Sequence, residues 1–470
     1  MSERPADPPV PVPGSGARVT GPEAPRGGGA PGDTPPESVG RLARAIAGKA
    51  VPLYLSMLAT MAGSMVTAGV LGNAGTAALA AHALVVAVLN PVLMLTQGAL
   101  RGSMPFVAEH EDDPDALAPV VRHSALLAVL MGSLGGSLVA SVPLWAGPLG
   151  VAEPTVAALG TYPPLMGAWV VLAAVKSSMT VLLIGLGRGR SVLALSLVST
   201  GTAVVLTPAL ILGAGPAPEL GLAGAAVALL VDGGLTVLLA MYVVRRRTVL
   251  RAIPVWRGAP RWSGVWVIAR VGLPTGSTLL VKFGTMSVLA MAVARTTAAD
   301  AATHQLLVVI ASFAFLPAVA AGQASIPFTA RAAGRGDRAG VRRSVAAGYL
   351  VSLPVVALST AAIWVASAPV VGLLTADPQV RAGVAALLPV LFVVTVLDAA
   401  QSQPGMGLMG IRNTLPSLYS FAVCYGLLAL AAVPLAGLGG LTLLWAAYAV
   451  ATLGLVVGQG LAFRRLSARV

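Results

Sequence analysis

Charged side chains are scarce in this chain: they make up 10% of its 470 residues, against about 25% in a typical soluble domain. Cysteine is almost absent, since Cys424 is the single one, and it can form neither an internal disulfide nor a thiolate metal cluster. Aromatic residues contribute 5%, whereas hydrophobic residues make up 56% and the mean hydropathy is +0.86. This composition excludes an ordinary globular protein and predicts an integral membrane protein whose small residues let helices pack closely.

Residues 1–40 contain almost no large apolar side chains and are rich in proline and glycine. Such a segment cannot bury enough apolar surface to fold, so it is predicted to be a disordered cytoplasmic tail. It contains no apolar central run and is therefore not expected to be a signal peptide.

Apolar runs of the ~20 residues needed to cross a hydrocarbon layer of ~30 Å occur twelve times. In the first half they cover 48–71, 76–108, 119–144, 154–186, 191–213 and 219–244. In the second half they cover 266–294, 299–330, 340–366, 380–409, 414–436 and 439–463. The sequence thus predicts an all-α protein with twelve transmembrane helices. Prolines in the second segment of each half, Pro91, Pro105, Pro317 and Pro327, predict kinks there.

Basic residues fall on alternate loops. With the N-terminus in the cytoplasm, the inner loops hold most of the arginines, including the dense run from Arg245 to Arg261, whereas the outer loops hold only Arg295 and Arg381. This bias predicts that both termini are cytoplasmic. It also explains the net charge of +13 as a consequence of membrane topology, so no nucleic-acid partner is expected.

The two halves of the chain are repeats. A shift of 222 positions places Pro52 on Pro274, His82 on His304 and Phe106 on Phe328. Six helices that begin and end inside, repeated once, predict two pseudo-symmetric six-helix lobes around a central cleft. The expected divisions are a first lobe at 45–244, a basic cytoplasmic linker at 245–265 and a second lobe at 266–465.

Several short motifs resemble the multidrug and toxic compound extrusion (MATE) family of secondary transporters. They are Val51-Pro52 and Val271-Gly272-Leu273-Pro274 at the openings of the two halves, Gly185-Leu186-Gly187-Arg188, the run 221–226, and Asp398-Ala-Ala-Gln401 leading to Gly410. The resemblance covers about 45–465. It implies a cation-coupled antiporter that expels organic, often cationic, compounds by alternating access, and we expect it to act as a monomer.

Four ionisable residues lie far from any loop. They are Lys176, Asp232, Lys282 and Asp398, and Lys176 and Lys282 are two of only three lysines in the chain. Charges near the bilayer midplane are costly and usually face a cavity or a partner. We predict one pair in each lobe, Lys176 with Asp232 and Lys282 with Asp398, serving either as a structural salt bridge or as an ion-coupling site. Asp398 resembles an acidic position of the family and is the strongest candidate.

Two departures from the family bear on coupling. Many members carry an acidic residue in the first helix, near positions 60–67, and a glutamate in the seventh; this chain has no acid in the first helix and has Lys282 in the seventh. An ammonium group repels Na⁺, which needs several oxygen ligands. The resemblance then favours coupling to H⁺ over Na⁺, or an atypical substrate with anionic groups.

Hydroxyl side chains form matching stripes in the first and seventh helices. Thr60, Ser64 and Thr67 share one face with Ser56, and Thr278 and Thr285 share one face with Thr275 and Lys282. The stripes predict a wet substrate cavity, unless the hydroxyls only bond back to their own helices. Gln401, Trp169 and Met166 are further cavity candidates, although Trp169 and Met166 could equally be core residues. Arg101 precedes a cytoplasmic loop and is expected to snorkel.

No motif indicates an enzyme, since no nucleotide-binding loop, metal cluster or nucleophile beside a base is present in the sequence. No cofactor is expected, and an ion gradient must supply the energy for transport. Two alternatives stay open: a flippase of lipid-linked precursors and a membrane receptor that does not transport. Because arginine outnumbers lysine 27 to 3, we expect a protein of the plasma membrane of a bacterium with a GC-rich genome.

Overall fold

The computed structural model describes residues 38–72, 76–213, 220–252 and 258–470. All but the last three residues of the predicted tail at 1–40 lie outside this part of the chain. In the described part the chain is all-helical, and no residue is in a strand. The predicted fold class is therefore confirmed.

The first half contains six long helices joined by short ones. The long helices are α1 (Val39–Gly72), α2 (Thr76–Arg101), α3 (Pro114–Ala140), α4 (Tyr162–Gly185), α5 (Gly189–Leu212) and α6 (Gly221–Arg247). The short helices are Met104–Glu109, Val142–Ala146, Glu153–Leu159 and the 3₁₀ turn Val249–Ala252.

The second half repeats this arrangement. Its long helices are α7 (Trp262–Val293), α8 (Ala298–Gly334), α9 (Arg338–Val365) and α10 (Pro378–Gly410), followed by the stretch Leu415–Leu466. A short helix, Ser367–Leu374, precedes α10.

A glycine divides the last helical stretch into two. Gly440 has φ 60° and ψ −153°, a conformation that L-residues with side chains avoid, so the helix is interrupted there. The two parts are α11 (415–439) and α12 (441–466). Eleven helices in the described residues are long and apolar enough to cross a membrane, and the break at Gly440 makes the count equal to the twelve predicted segments.

Two acidic residues in the loops, Asp113 and Asp337, cap the helices that follow them. The side chain of Asp113 accepts hydrogen bonds from the backbone of Asp115 and Ala116, and Asp337 accepts one from the backbone of Gly340 at 2.7 Å. Each bond satisfies a backbone N–H that the first turn of a helix leaves without a partner. These caps fix where α3 and α9 begin.

The two proline-containing segments differ in whether the helix continues. The first, predicted at 76–108, is divided: α2 ends at Arg101, and a separate short helix begins at Met104, immediately before Pro105. Its repeat mate α8 runs from Ala298 to Gly334 through Pro317 and Pro327 without an interruption. The break in the first lobe matters because it places Arg101 at the end of a helix.

Three apolar cores show how the two lobes meet. One contains residues of the first half only, such as Val85 and Ile211, and another contains residues of the second half only, such as Leu307 and Tyr425. The third joins the halves, since Ala50 and Leu53 of α1 pack in it with Ala320 and Ala324 of α8 and with Ala347 of α9.

The joining core lies where α1 and α9 begin and α8 ends. We call this the basic end, because the arginine-rich stretches 245–247, 331–343 and 464–469 lie there. At the opposite end each lobe has its own core, which leaves the cleft between the lobes closed at the basic end and separated at the other.

Candidate functional site

A cavity of about 560 Å³ lies against the second lobe. Five of its lining residues, from Asn90 to Arg101, belong to α2, and the others belong to α7, α8, α10 and the last helical stretch with the loop before it. Its volume is in the range of small-molecule sites. The accessible surface of the walls is mainly apolar and includes methionine, phenylalanine and leucine side chains, although thirteen of the lining residues carry polar or charged side chains.

An ion pair lies in the wall of this cavity. The Lys282 Nζ atom of α7 is 2.6 Å from Oδ2 of Asp398 in α10. Both side chains are largely buried, with 14% and 9% of their surfaces exposed. The Nε2 atom of Gln401 donates a hydrogen bond of 2.9 Å to the other carboxylate oxygen. The structure thus joins the predicted pair in the second lobe and satisfies both oxygens of Asp398.

An aromatic ring supports the amine on its other side. The Lys282 Nζ atom lies 4.4 Å from the centroid of the Phe315 ring in α8. A cation at this distance is attracted to the negative face of the ring. Lys282 therefore has a second favourable position to occupy if Asp398 loses its charge.

The predicted pair in the first lobe also forms, within a hydrogen-bond network. Lys176 Nζ is 3.3 Å from Asp232 Oδ2, and it donates a bond of 2.7 Å to the Ser199 hydroxyl. That hydroxyl donates in turn to the same carboxylate oxygen at 2.9 Å, while Thr236 donates to Oδ1. The network joins α4, α5 and α6. None of its residues lines the described cavity, so its geometry suits a structural link.

We expect Asp232→Asn to lower the free energy of unfolding by about 1–3 kcal/mol, because it leaves Lys176 without its counter-charge. Lys176 is about one third exposed, so solvent screening places the effect toward the lower end of this range. Thermal unfolding in detergent measures the change. Ser64→Ala is the control, since that hydroxyl only bonds to the carbonyl of Met61 in its own helix. Unchanged stability in Asp232→Asn, with loss of transport, would instead assign coupling to the first lobe.

The hydroxyl stripes differ between the lobes. In α1, Thr60, Ser64 and Thr67 all donate to carbonyls of their own helix, and the described cavity does not reach them. In α7, Thr275 and Thr278 line the cavity, although they too bond back to their own helix. Thr285 is buried and donates to the carbonyl of Tyr425. The symmetric pattern therefore contributes to the cavity from one lobe only.

Met166 and Trp169 lie in the apolar core of the first lobe, where Met166 is 1% exposed. Both residues pack in this core, and neither lines the described cavity on the second lobe. His82 accepts or donates a hydrogen bond of 2.8 Å with the Tyr162 hydroxyl. Its repeat mate His304 is buried against the Trp445 ring.

Arg101 was expected to snorkel toward water, and its position differs from that expectation. The side chain is partly exposed and lines the cavity. It does so because α2 ends at this residue, where Gly102 lies against the backbone of Gly272 in α7. The sequence showed that Arg101 lies close to a loop. It did not show that the helix ends before Pro105, although this break is what directs the Arg101 side chain toward the cleft.

Glycines bring the lobes into backbone contact at the basic end. A Cβ atom added at Gly98 would overlap the backbone of Gly276, and one added at Gly272 would overlap the backbone of Ala99. Only glycine allows two helices to approach so closely. The repeat relates this contact of α2 with α7 to that of α8 with α1, where Ala320 and Ala324 take the places of Gly98 and Gly102.

Charged side chains also join the lobes at the basic end. Arg412 forms an ion pair with Glu109 and packs on the Phe106 ring, and Arg331 forms one with Glu111. Burial lowers the pKa of Arg412, yet a guanidinium group stays charged at neutral pH. These pairs connect the loop after α2 with the ends of α8 and α10, and they hold the cleft closed at this end.

Within the ranges that the structure describes, no three His, Cys, Asp or Glu side chains are arranged to hold a metal ion. Twelve apolar helices in two lobes, a buried ion pair and a cavity in the cleft are the features of a membrane transport protein.

The MatE family model matches residues 52–209 and again 274–435. The chain therefore belongs to this family, and the resemblance seen in its sequence motifs is confirmed. The two matches begin at Pro52 and Pro274, 222 residues apart, which agrees with the internal repeat.

Individual relatives and solved structures agree with this family assignment. The chain is 28% identical over 407 residues to the probable multidrug resistance protein NorM of Aromatoleum aromaticum, covering 84% of this chain and 86% of that protein. It is 29% identical to the probable NorM protein of Deinococcus radiodurans, with 81% and 85% covered. A multidrug resistance MATE family transporter in an outward-facing conformation shares the fold, with a TM-score of 0.82, 18% identity, and 92% of this chain and 97% of the other covered.

Proposed function

We propose that the protein is a proton-coupled antiporter that exports organic small molecules, including drugs or natural products, through the cavity on the second lobe. The observation that carries the proposal is the pair of Lys282 and Asp398, which is buried, hydrogen-bonded and part of the cavity wall. A titratable carboxylate in contact with the substrate space allows ion and substrate to affect each other directly. The multidrug resistance proteins among its relatives support an organic substrate.

Protonation of Asp398 is the central step of the proposed cycle. A proton cancels the carboxylate charge and removes the partner of Lys282, whose ammonium then rests on the Phe315 ring or turns into the cavity. Because a buried ammonium group without a counter-charge is unstable, this step raises the free energy of the occupied cavity. Release of substrate and a change of lobe arrangement then relieve that cost.

Sodium suits this site poorly. Na⁺ needs several oxygen ligands, whereas one oxygen of Asp398 bonds to an ammonium group and the other to the amide of Gln401. A proton needs only one carboxylate oxygen, which becomes available when the ammonium group of Lys282 moves away. The donor set therefore favours H⁺ as the coupling ion.

The closed basic end supports alternating access. If the basic end is cytoplasmic, as the distribution of arginine predicts, the cleft faces outward in this conformation. Separation of the glycine contacts and of the pairs Glu109–Arg412 and Glu111–Arg331 would then open it inward. Two lobes that rock around a cavity between them need no larger rearrangement.

Several sequence predictions remain part of this proposal. They are the lobes at 45–244 and 266–465, the basic linker at 245–265, cytoplasmic termini, a monomeric state and a bacterial plasma membrane location. Of the two alternatives, a receptor predicts ligand binding without net flux. A flippase of lipid-linked precursors predicts movement of a lipid substrate between leaflets.

Reconstituted wild-type protein should move an organic fluorophore against its gradient when a pH gradient is imposed, and should respond little to a sodium gradient of the same size. Asp398 accounts for the difference, because it can accept a proton but cannot assemble a sodium site. Fluorophore accumulation in proteoliposomes with clamped membrane potential measures this. Flux that depends on neither gradient would contradict the proposed antiport mechanism. Flux driven by the sodium gradient alone would identify Na⁺ as the coupling ion.

A further inference from the structure

The cavity has an excess of positive charge. Three of its lining residues have acidic or strongly basic side chains: Arg101, Lys282 and Asp398. Lys282 and Asp398 neutralise each other as an ion pair. Arg101 remains as a guanidinium group that no charge in the cavity wall balances.

Arg101 has no partner elsewhere in the described ranges either. It forms no hydrogen bond, ion pair or ring contact there, whereas the nearby acids are engaged, Glu109 by Arg412 and Glu111 by Arg331. Its five N–H donors are therefore left without a protein acceptor beside a cavity whose surface is mainly apolar. A side chain kept in this state indicates a group that a ligand supplies.

Other polar atoms in the wall are also unsatisfied. The indole N–H of Trp445 and the hydroxyl of Ser417 lack hydrogen-bond partners among the described residues, as does the carbonyl oxygen of Gln459. All three side chains line the cavity with Arg101. Counted together with the five N–H donors of Arg101, the unsatisfied donors around the cavity outnumber the unsatisfied acceptors, which favours a ligand group rich in acceptors.

Arg101 and the coupling pair lie at different levels of the cleft. Gly102 lies against Gly272, and Lys282 follows ten residues later in α7, about 15 Å along the helix at ~1.5 Å per residue. Methionine and phenylalanine side chains such as Met94, Met286 and Phe283 line the space with them. The cavity therefore has a cationic floor at its closed end, with apolar walls.

We infer that the cavity takes an amphipathic organic anion, whose carboxylate, sulfonate or phosphate is bound by Arg101 and whose apolar body lies against the methionine and phenylalanine walls. This inference rests on the proposed exporter function and names its substrate class. The anionic end reaches the floor, and the body extends toward Lys282 and Asp398, so that the protonation state of the pair affects a molecule held mainly by Arg101.

Two probes with one fluorophore and opposite charges test the inference. Dansylglycine carries a carboxylate, and dansylaminoethyl-trimethylammonium carries a fixed positive charge. Binding to purified protein in neutral detergent is expected for the anion. Arg101→Gln should weaken it by about 10- to 100-fold, as expected for loss of a charge-assisted hydrogen bond, and Arg101→Lys should restore part of it.

The matched control is Arg270→Gln, which removes an exposed arginine of α7 that lies outside the cavity lining. It should leave binding of both probes unchanged. Thermal unfolding of the ligand-free protein adds a readout that does not depend on binding. Since Arg101 has no protein partner to lose, Arg101→Gln should unfold at the same temperature as the wild type or higher; marked destabilisation would identify a structural arginine and overturn the inference.

The outcomes separate the inference from the function on which it rests. Transport of the cationic probe without binding of the anionic one leaves the exporter in place and overturns the anion site. Binding of dansylglycine that depends on Arg101, without flux of either probe, supports the anion site and overturns the exporter. Competition by a C20 isoprenyl phosphate would indicate a lipid-linked anion, and competition by 2-naphthoate alone a free one.

Discussion

Asp398→Asn should abolish proton-driven transport while leaving a folded protein with lower stability. The amide cannot take up a proton, so the cycle loses its coupling step. It also leaves Lys282 buried without a counter-charge, since 14% of that side chain is exposed. Breaking a buried pair from one side costs about 3–5 kcal/mol in free energy of unfolding. Flux under a pH gradient and thermal unfolding measure the two effects separately.

The double variant Asp398→Asn with Lys282→Met separates coupling from structure. Removing both charges removes the unpaired ammonium group, and stability should return to within about 1–2 kcal/mol of the wild type. Proton-driven flux should not return, because no titratable carboxylate remains at this position. If the double variant recovers transport together with stability, the pair is a structural salt bridge and the coupling site lies elsewhere.

Gly272→Ala should hold the basic end of the cleft open and stop the transport cycle. The new Cβ atom would overlap the backbone of Ala99, and backbone atoms cannot move aside as a flexible side chain can. Overpacking of this kind costs about 1–3 kcal/mol, which is enough to shift a two-state equilibrium about 5- to 150-fold toward the open arrangement. The loss of flux should thus accompany a change of conformation rather than unfolding.

Two spin labels on the loops of the two lobes measure that change. The chain has one cysteine, so a Cys424→Ala background with Asp112→Cys and Arg335→Cys carries labels at two exposed positions of the basic end. Their separation should lengthen in Gly272→Ala. Gly284→Ala is the matched control in the same helix, because an added Cβ there meets no atom within 4 Å. An unchanged separation in Gly272→Ala would mean that this contact does not govern closure.

Much of the fold was predictable from the sequence because membranes impose strong rules. Apolar runs of about twenty residues mark the spans, and the 222-residue repeat predicts two lobes. Helix boundaries were less predictable. The break at Gly440 falls within a few residues of the boundary predicted between 414–436 and 439–463. The break after Arg101 was not predicted, since 76–108 was expected to be one kinked helix.

The charged residues of the candidate site were predictable, because placing a charge in the membrane interior costs free energy. Lys176, Asp232, Lys282 and Asp398 stood out as charges within apolar runs, and each pair meets within 4 Å, because an unpaired charge in an apolar interior is unstable. The cavity residues were harder to predict. Hydroxyls at Thr60 and Thr278 show the same helical spacing, but only the second lines the described cavity, since spacing reveals a shared face and not what that face meets.

The sequence by itself therefore determined the class of protein, the repeat and the charged pairs, all of which follow from the cost of placing polar groups in lipid. The tertiary structure alone decided which lobe holds the cavity, where the cleft closes and what Arg101 faces. Those features depend on glycine contacts between helices that lie far apart in the chain. Close packing of two backbones is a property of the pair and leaves no periodic signal in either helix.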